Sequence, residues 1–347
     1  MRRICWLILC LWVLAPSIQA QSPEYRQISD LNGLPCNEVY SIFFDRDGYM
    51  WLGTEIGAFR YDGQSFQAFL PDKAPGQALT GFTAVGESLY MFNFQGDVFE
   101  VQQDSLKHIF IPDSISNRHY PLLSEGPDGK LWINTNLGIF SFNKTDGSWM
   151  NLTPPELREE DFSFSKSISS RNQGIWFISH KSIVNFDAQG YHFYDVQFRD
   201  KDDQTLPKYI IESNETDAWI CHILDGSLYH KKGNHFVPYE QPELNELLKG
   251  RKFTNLKYLN HKLYFMAYDG LIVYDLQSKK SEWLFQNIPV TDLELDPEGN
   301  YWMSTLGYGI LYCTSFDVRT YPNNRMGGSS SKFTYLADDG KGGIFYS

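Results

Sequence analysis

The sequence predicts an all-β fold, a β-propeller of four-stranded antiparallel blades, and two observations carry that prediction. The first is local. Between Val39 and Phe69, four short apolar runs (VYSIFF, YMWLGT, GAFRY and QSFQAF) are separated by Asp45-Arg46-Asp47-Gly48, Glu55-Ile56-Gly57 and Asp62-Gly63. Runs rich in β-branched and aromatic residues read as strands, and Asp, Asn and Gly punctuate them because they accept turn backbone. The second observation is that this unit recurs. Aligned on Trp51, the chain places Tyr90, Trp132, Trp176, Trp219, Tyr264, Trp302 and Phe345 at steps of 39, 42, 44, 43, 45, 38 and 43 residues. A period of roughly 40–45 residues with four strands per unit marks a propeller, in which each sheet needs a neighbour on both faces.

Seven full blades fall near 39–69, 82–110, 120–152, 164–196, 208–239, 255–285 and 290–321. The clearest copies are GPDGKLWINTNLGIFSFN at 126–143 and DPEGNYWMSTLGYGILYC at 296–313. An eighth unit, FTYLADDGKGGIFYS at 333–347, holds a first strand, a turn and most of a second. Residues 331–347 therefore read as a partial repeat, the start of a further blade or a truncated end. Ahead of the first blade, EYRQIS at 24–29 looks like a fourth strand. Either it completes the eighth blade or the chain is a truncation. A blade ending inside its second strand leaves an unpaired edge, which favours truncation. Pro242 to Lys249, stopped by Gly250, predicts a helix between blades, and Pro154 to Glu160 a shorter helical turn.

Composition narrows the function classes. The formal net charge is −12, which argues against a nucleic-acid partner because such binding needs a basic patch. Residues 1–20 read as a secretory signal peptide, with Arg2-Arg3, an apolar run from Ile4 to Leu14, and a cleavage region ending at Ala20. The mature chain is then an exported one. Its cysteines, Cys36, Cys221 and Cys313, are too few and too far apart for a disulfide framework and read as small buried hydrophobes. The tryptophans are absorbed by the repeat: five hold the second-strand position, and Trp149 and Trp283 lie in fourth strands.

The stretch LPCNEVYSIFFDRDGYMWLGTEIGAFRYDGQSFQAF at 34–69 resembles the opening repeat of the two-component regulator propeller family. The shared features are Leu34-Pro35, Asp45, Gly48, Trp51, Gly53-Thr54, Gly57, Arg60-Tyr61-Asp62-Gly63 and Phe66. That family supplies the extracytoplasmic sensor regions of bacterial membrane sensor kinases and hybrid two-component systems. The resemblance implies a periplasmic, non-enzymatic ligand sensor for glycans or their breakdown products. It also implies a membrane sensor kinase or further propeller repeats as partners. No output domain is recognisable in the chain. A second resemblance points elsewhere: PDGKLWINTNLGIFSF at 127–142 is similar to repeats of the seven-bladed streptogramin B lyases. Those enzymes need catalytic histidine and a magnesium site, for which His180 and His222 are the candidates here. An exported protein-interaction scaffold is the third reading.

No residue pattern by itself announces chemistry. The eight His form neither HxH nor HExxH, Asp45-Arg46-Asp47-Gly48 lacks the closing Glu of a calcium loop, and no Ser sits in a GxSxG elbow. No catalytic residue, metal ligand or cofactor is assigned. The ends of the second strands are more informative. Four residues past each anchor aromatic stand Glu55, Phe94, Asn136, His180, Ile223, Tyr268 and Leu306, with Thr54, Asn93, Thr135, Ser179, His222, Ala267 and Thr305 one step earlier. Equivalent blades would project these as two concentric rings on one face. Glu55, Asn136, His180, His222 and Tyr268 are the candidate ligand-binding residues, able to hydrogen-bond and stack a small polar ligand such as an oligosaccharide. The competing explanation is that strand ends use small polar groups to satisfy their own backbone.

Overall fold

The computed structural model describes residues 23–71, 78–115, 121–157, 168–170, 174–178, 182–187, 189–198, 209–214, 216–317, 336–338 and 344–346. Tyr25–Thr314 forms one compact unit, and the remaining residues belong to a second. In the first unit the blades follow the predicted meander. Blade one is Val39–Phe44, Met50–Thr54, Gly57–Tyr61 and Phe66–Phe69, paired in sequence order from innermost to outermost. The innermost strands of the others are Leu79–Val85, Leu122–Glu125, Ile168–Ser170, Tyr209–Ser213, Phe253–Leu259 and Val290–Leu295. Each packs against the next, and Val290–Leu295 packs back on Val39–Phe44, so the ring closes at seven blades.

Closure departs from the sequence expectation. Arg26–Ile28, within the EYRQIS segment, is the fourth strand of blade seven, with Arg26 opposite Tyr312 and Ile28 opposite Ile310. It completes blade seven and not an eighth blade, so blade seven takes its outermost strand from the N-terminal side of the chain. The physical reason is the one that makes closed rings common: the last third strand, Ile310–Cys313, would otherwise be a bare edge. In the second unit, Leu336–Asp338 and Ile344–Tyr346 pair as an antiparallel hairpin. The helix forms over Pro242–Leu248, with Gly250 beyond it at φ +72°, and the shorter element is a 3-10 turn at Pro155–Leu157.

The repeat's signature residues have local jobs. In the turn between the first two strands of blade one, Asp45 accepts from the backbone N–H groups of Asp47 (3.0 Å) and Tyr49 (2.9 Å), while its other oxygen accepts the Trp51 indole N–H at 2.7 Å. Trp132 donates to Asp128 at 2.8 Å and Trp302 to Asp296 at 2.9 Å in the equivalent turns. The anchor thus ties its strand to the preceding turn while its ring fills the space between blades. Trp51, Trp132, Trp176 and Trp219 are buried, whereas Trp302 is only partly so. Gly53 exists for close approach: a Cβ there would stand 2.5 Å from the Leu79 carbonyl of blade two. Cys221 and Cys313 are buried free thiols, and burial pushes the Cys313 thiol pKa up to about 12.

The innermost strands have no further strand to pair with, and their backbone groups find partners across the blade boundaries. Thr83 Oγ1 donates to Leu123 O (3.1 Å), Thr254 Oγ1 to Val290 O (2.7 Å), Thr291 Oγ1 to Val39 O (2.7 Å), and Lys257 Nζ to Leu293 O (2.8 Å). Lys257 also meets Asp292 at 2.8 Å and contacts Glu294. Burial alone would lower the lysine's pKa, but the two carboxylates outweigh it and hold it above its ordinary value. Removing the cation with Lys257→Met strands a buried Asp292, so a loss of about 3 kcal/mol is expected in chemical denaturation. A loss below about 1 kcal/mol would show that the channel's water carries those carboxylates.

Candidate functional site: the central channel and the face around it

The innermost strands enclose a central channel with a volume of about 1090 Å³. Among the described residues its wall comes from six blades and includes the hydroxyls of Thr80, Thr83, Ser124 and Thr254, the Asn255 amide, and the charged groups Glu125, Glu212, Lys257, Asp292 and Glu294. Because each meander alternates direction, the entry to every innermost strand and the turn between second and third strands lie at the same end. Tyr40, Ile223 and Phe253 line the channel towards that end, and Asp47, Glu87 and Glu125 towards the other. No histidine lines it among the described residues.

Backbone hydrogen bonds show that three of the positions aligned in the sequence are equivalent. The N–H of Glu55 donates to Glu38 O (3.2 Å), that of Tyr268 to Lys252 O (3.1 Å), and that of Leu306 to Pro289 O (3.1 Å). Each bond fastens a second-strand turn to the segment entering an innermost strand. Three hydroxyls of the expected inner ring are structural: Thr54 Oγ1 donates to Gly57 O at 2.8 Å and Thr305 Oγ1 to Gly309 O at 2.7 Å, closing their own turns, and Thr135 does the same with Gly138. All three are buried. For these three threonines the backbone-satisfaction reading holds.

The five candidate residues separate. Glu55 and Tyr268 are exposed on the face, Asn136 is half-buried there, and none of the three lines the channel. His222 does not belong with them. It is buried, its ring lies 4.8 Å from that of Tyr209, and its Nδ1 is 2.9 Å from the Asp225 carboxylate, so it serves the packing of blade five. His180 lies outside the described residues. Sequence reasoning missed the channel wall, because Asn255, Lys257, Asp292 and Glu294 look like the solvent side of ordinary strands until the ring is closed.

Tyr40 and Phe94 meet edge to face at 5.3 Å across the boundary between blades one and two. Burial, then the Glu55 and Glu38 carboxylates beside it, raise the Tyr40 hydroxyl's pKa. In blade six the Arg251 guanidinium sits 3.8 Å above the Trp283 ring and pairs with Asp269.

Residues 33–55 match the family model described as two component regulator propeller. No curated protein matches the sequence. Among solved structures, the chain resembles the extracellular domain of a protein described as a hybrid two component system from B. thetaiotaomicron: 16% identity, TM-score 0.65, 93% of this chain and 46% of that one. It also resembles virginiamycin B lyase from Staphylococcus aureus, solved as an inactive variant with quinupristin, at 12% identity and TM-score 0.64 over 84% of this chain and 99% of the lyase. A third likeness is to PorZ, a surface component of the type-IX secretion system of Porphyromonas gingivalis, at 13% identity and TM-score 0.62, with 84% and 48% covered. The chain thus spans about half the length of the sensor and secretion structures. At such identities the likeness establishes the fold alone. The first blade thus carries the match to the two component regulator propeller model, at residues 33–55, and the closed ring of seven blades is the fold this chain shares with those structures.

Proposed function

We propose that the chain is the ligand-recognising region of an exported, periplasmic sensor of the two component type. Its ligand is a small polar molecule, a glycan or glycan breakdown product, received in the central channel from the face that carries Glu55, Asn136 and Tyr268. The observation that supports this reading is the channel itself: about 1090 Å³ of space whose wall offers hydroxyl, amide and carboxylate groups from six blades. Saccharides present many hydroxyls, and a ring of such groups can meet several at once. Output passes to a membrane sensor kinase or through further propeller repeats, and the chain binds its ligand without transforming it.

The test is a thermal-shift screen against oligosaccharides, followed by calorimetry on Glu212→Gln in the wall and Tyr268→Ala at the mouth. Each hydrogen bond to a partly buried sugar is worth about 0.5–1.5 kcal/mol net, so each variant should weaken binding by up to about tenfold and no single one should abolish it. A ligand located in the crystal but indifferent to both changes would remove the channel from consideration. Conversion of the bound compound into product would instead favour the lyase reading.

A further inference from the structure

The distribution of exposed hydrophobic side chains around the ring is one-sided. Of the twelve large exposed hydrophobics among the described residues, nine stand in second-strand turns or in segments entering innermost strands, all at one end of the blades. Leu31, Phe94, Phe110 and Tyr268 are among them, with Leu31 91% and Phe110 73% exposed. The other three, Tyr25, Met150 and Phe193, lie in or beside outermost strands, and the turns at the opposite end contribute none. Single exposed hydrophobics need no explanation, but nine of twelve on one face of a ring single that face out from the other.

Charge narrows the kind of partner. The same turns and entry segments carry eleven Asp and Glu against three Lys and Arg among the described residues. A second copy would bring the same excess to the interface, and like charges facing one another across it oppose docking. A basic partner would not meet that barrier. The geometry at the boundary of blades one and two fits such a partner closely. Phe94 offers an exposed ring edge-on to Tyr40, and the Glu55 and Glu38 carboxylates lie near the Tyr40 hydroxyl. An aromatic face beside carboxylates is what a guanidinium or ammonium group seeks. The protein shows the same combination filled from within, where Arg251 lies over Trp283 and pairs with Asp269.

We infer that this face docks a basic segment of another protein, with Arg or Lys side chains seated against Phe94 and between Glu55 and Glu38, and apolar side chains on the neighbouring exposed hydrophobics. The docking surface lies around the channel mouth and does not depend on what the channel holds. The energetic centre is the Phe94 notch, since buried aromatic and arginine contacts dominate interfaces.

The experiment is selection of a random dodecapeptide library, displayed on phage, against the full chain. The winning peptides are then titrated against wild type, Phe94→Ser, Glu55→Lys and the outer-strand control Met150→Ser. All three positions are exposed, so the variants should fold, and their melting is checked first. The expected result is enrichment of peptides that combine Arg or Lys with apolar residues, binding that weakens at least about tenfold in Phe94→Ser and in Glu55→Lys, and no change in Met150→Ser. Winners without an excess of basic residues would overturn the proposal, as would winners indifferent to Phe94→Ser. Self-association of the unliganded chain in sedimentation that Phe94→Ser abolishes would overturn it too, because a second copy would then be the occupant.

Discussion

A chain that begins at Asp30 is expected to fail to form a stable monomeric ring. The missing piece is small, since Arg26–Ile28 contributes three residues of ladder to blade seven. Its position makes it costly. Without it Ile310–Cys313 becomes an open edge, and Ile28, itself buried, no longer covers Leu34 and Ile310 in the cluster shared by blades one and seven. An exposed apolar edge recruits other chains. Size-exclusion chromatography should show aggregation, and the melting transition should move well below that of the chain with the strand. Ile28→Ala is the graded version, with roughly 2–5 kcal/mol expected. A shortened chain that stays monomeric and melts like its parent would mean that another segment closes the ring.

Trp132→Ala should lose about 3–5 kcal/mol, because it empties a packed site and not merely a surface. Trp132 is 4% exposed and belongs to the cluster of Ile139, Ile175, Phe177 and Val184 that joins blades three and four. Its ring lies 5.0 Å from Phe186. Trp132→Phe separates the two roles of the side chain: it keeps most of the packing and deletes the bond to Asp128, for a loss of about 1 kcal/mol. Trp302→Ala should cost less than Trp132→Ala, because Trp302 holds the same bond but sits at a partly open site. Equal losses at the two positions in urea denaturation would break the link between burial and cost argued here.

The repeat was legible because its period is carried by side chains with no alternative use. An aromatic every 42 residues or so, with Asp and Gly a few positions ahead, reflects a turn that must tie to an indole and a blade that must fill the space beside it. The closing strand was less legible. RQI has neither length nor alternation, and what places it is an edge left open nearly 300 residues away. The face was half legible. Equivalent positions did align, as the bonds from Glu55, Tyr268 and Leu306 show. Which of them point outward was not readable, and His222 turned inward against Tyr209. The channel wall escaped notice because a polar residue on an innermost strand and one on a solvent-facing strand are the same letter.

The pairing of Arg26 with Tyr312 has a consequence for how the ring comes into being. The two residues are 286 positions apart, and bringing such distant points together costs on the order of 5 kcal/mol in chain entropy. The N-terminal strand of the ring is therefore the last to find its place, and six blades can stack while the seventh stands open. The blades themselves are built from neighbouring strands, and this one distant pairing is the slow step. During that wait the vacant edge accepts the leading strand of any copy nearby, so refolding at high protein concentration should yield strand-swapped dimers that dilution converts only by unfolding blade seven.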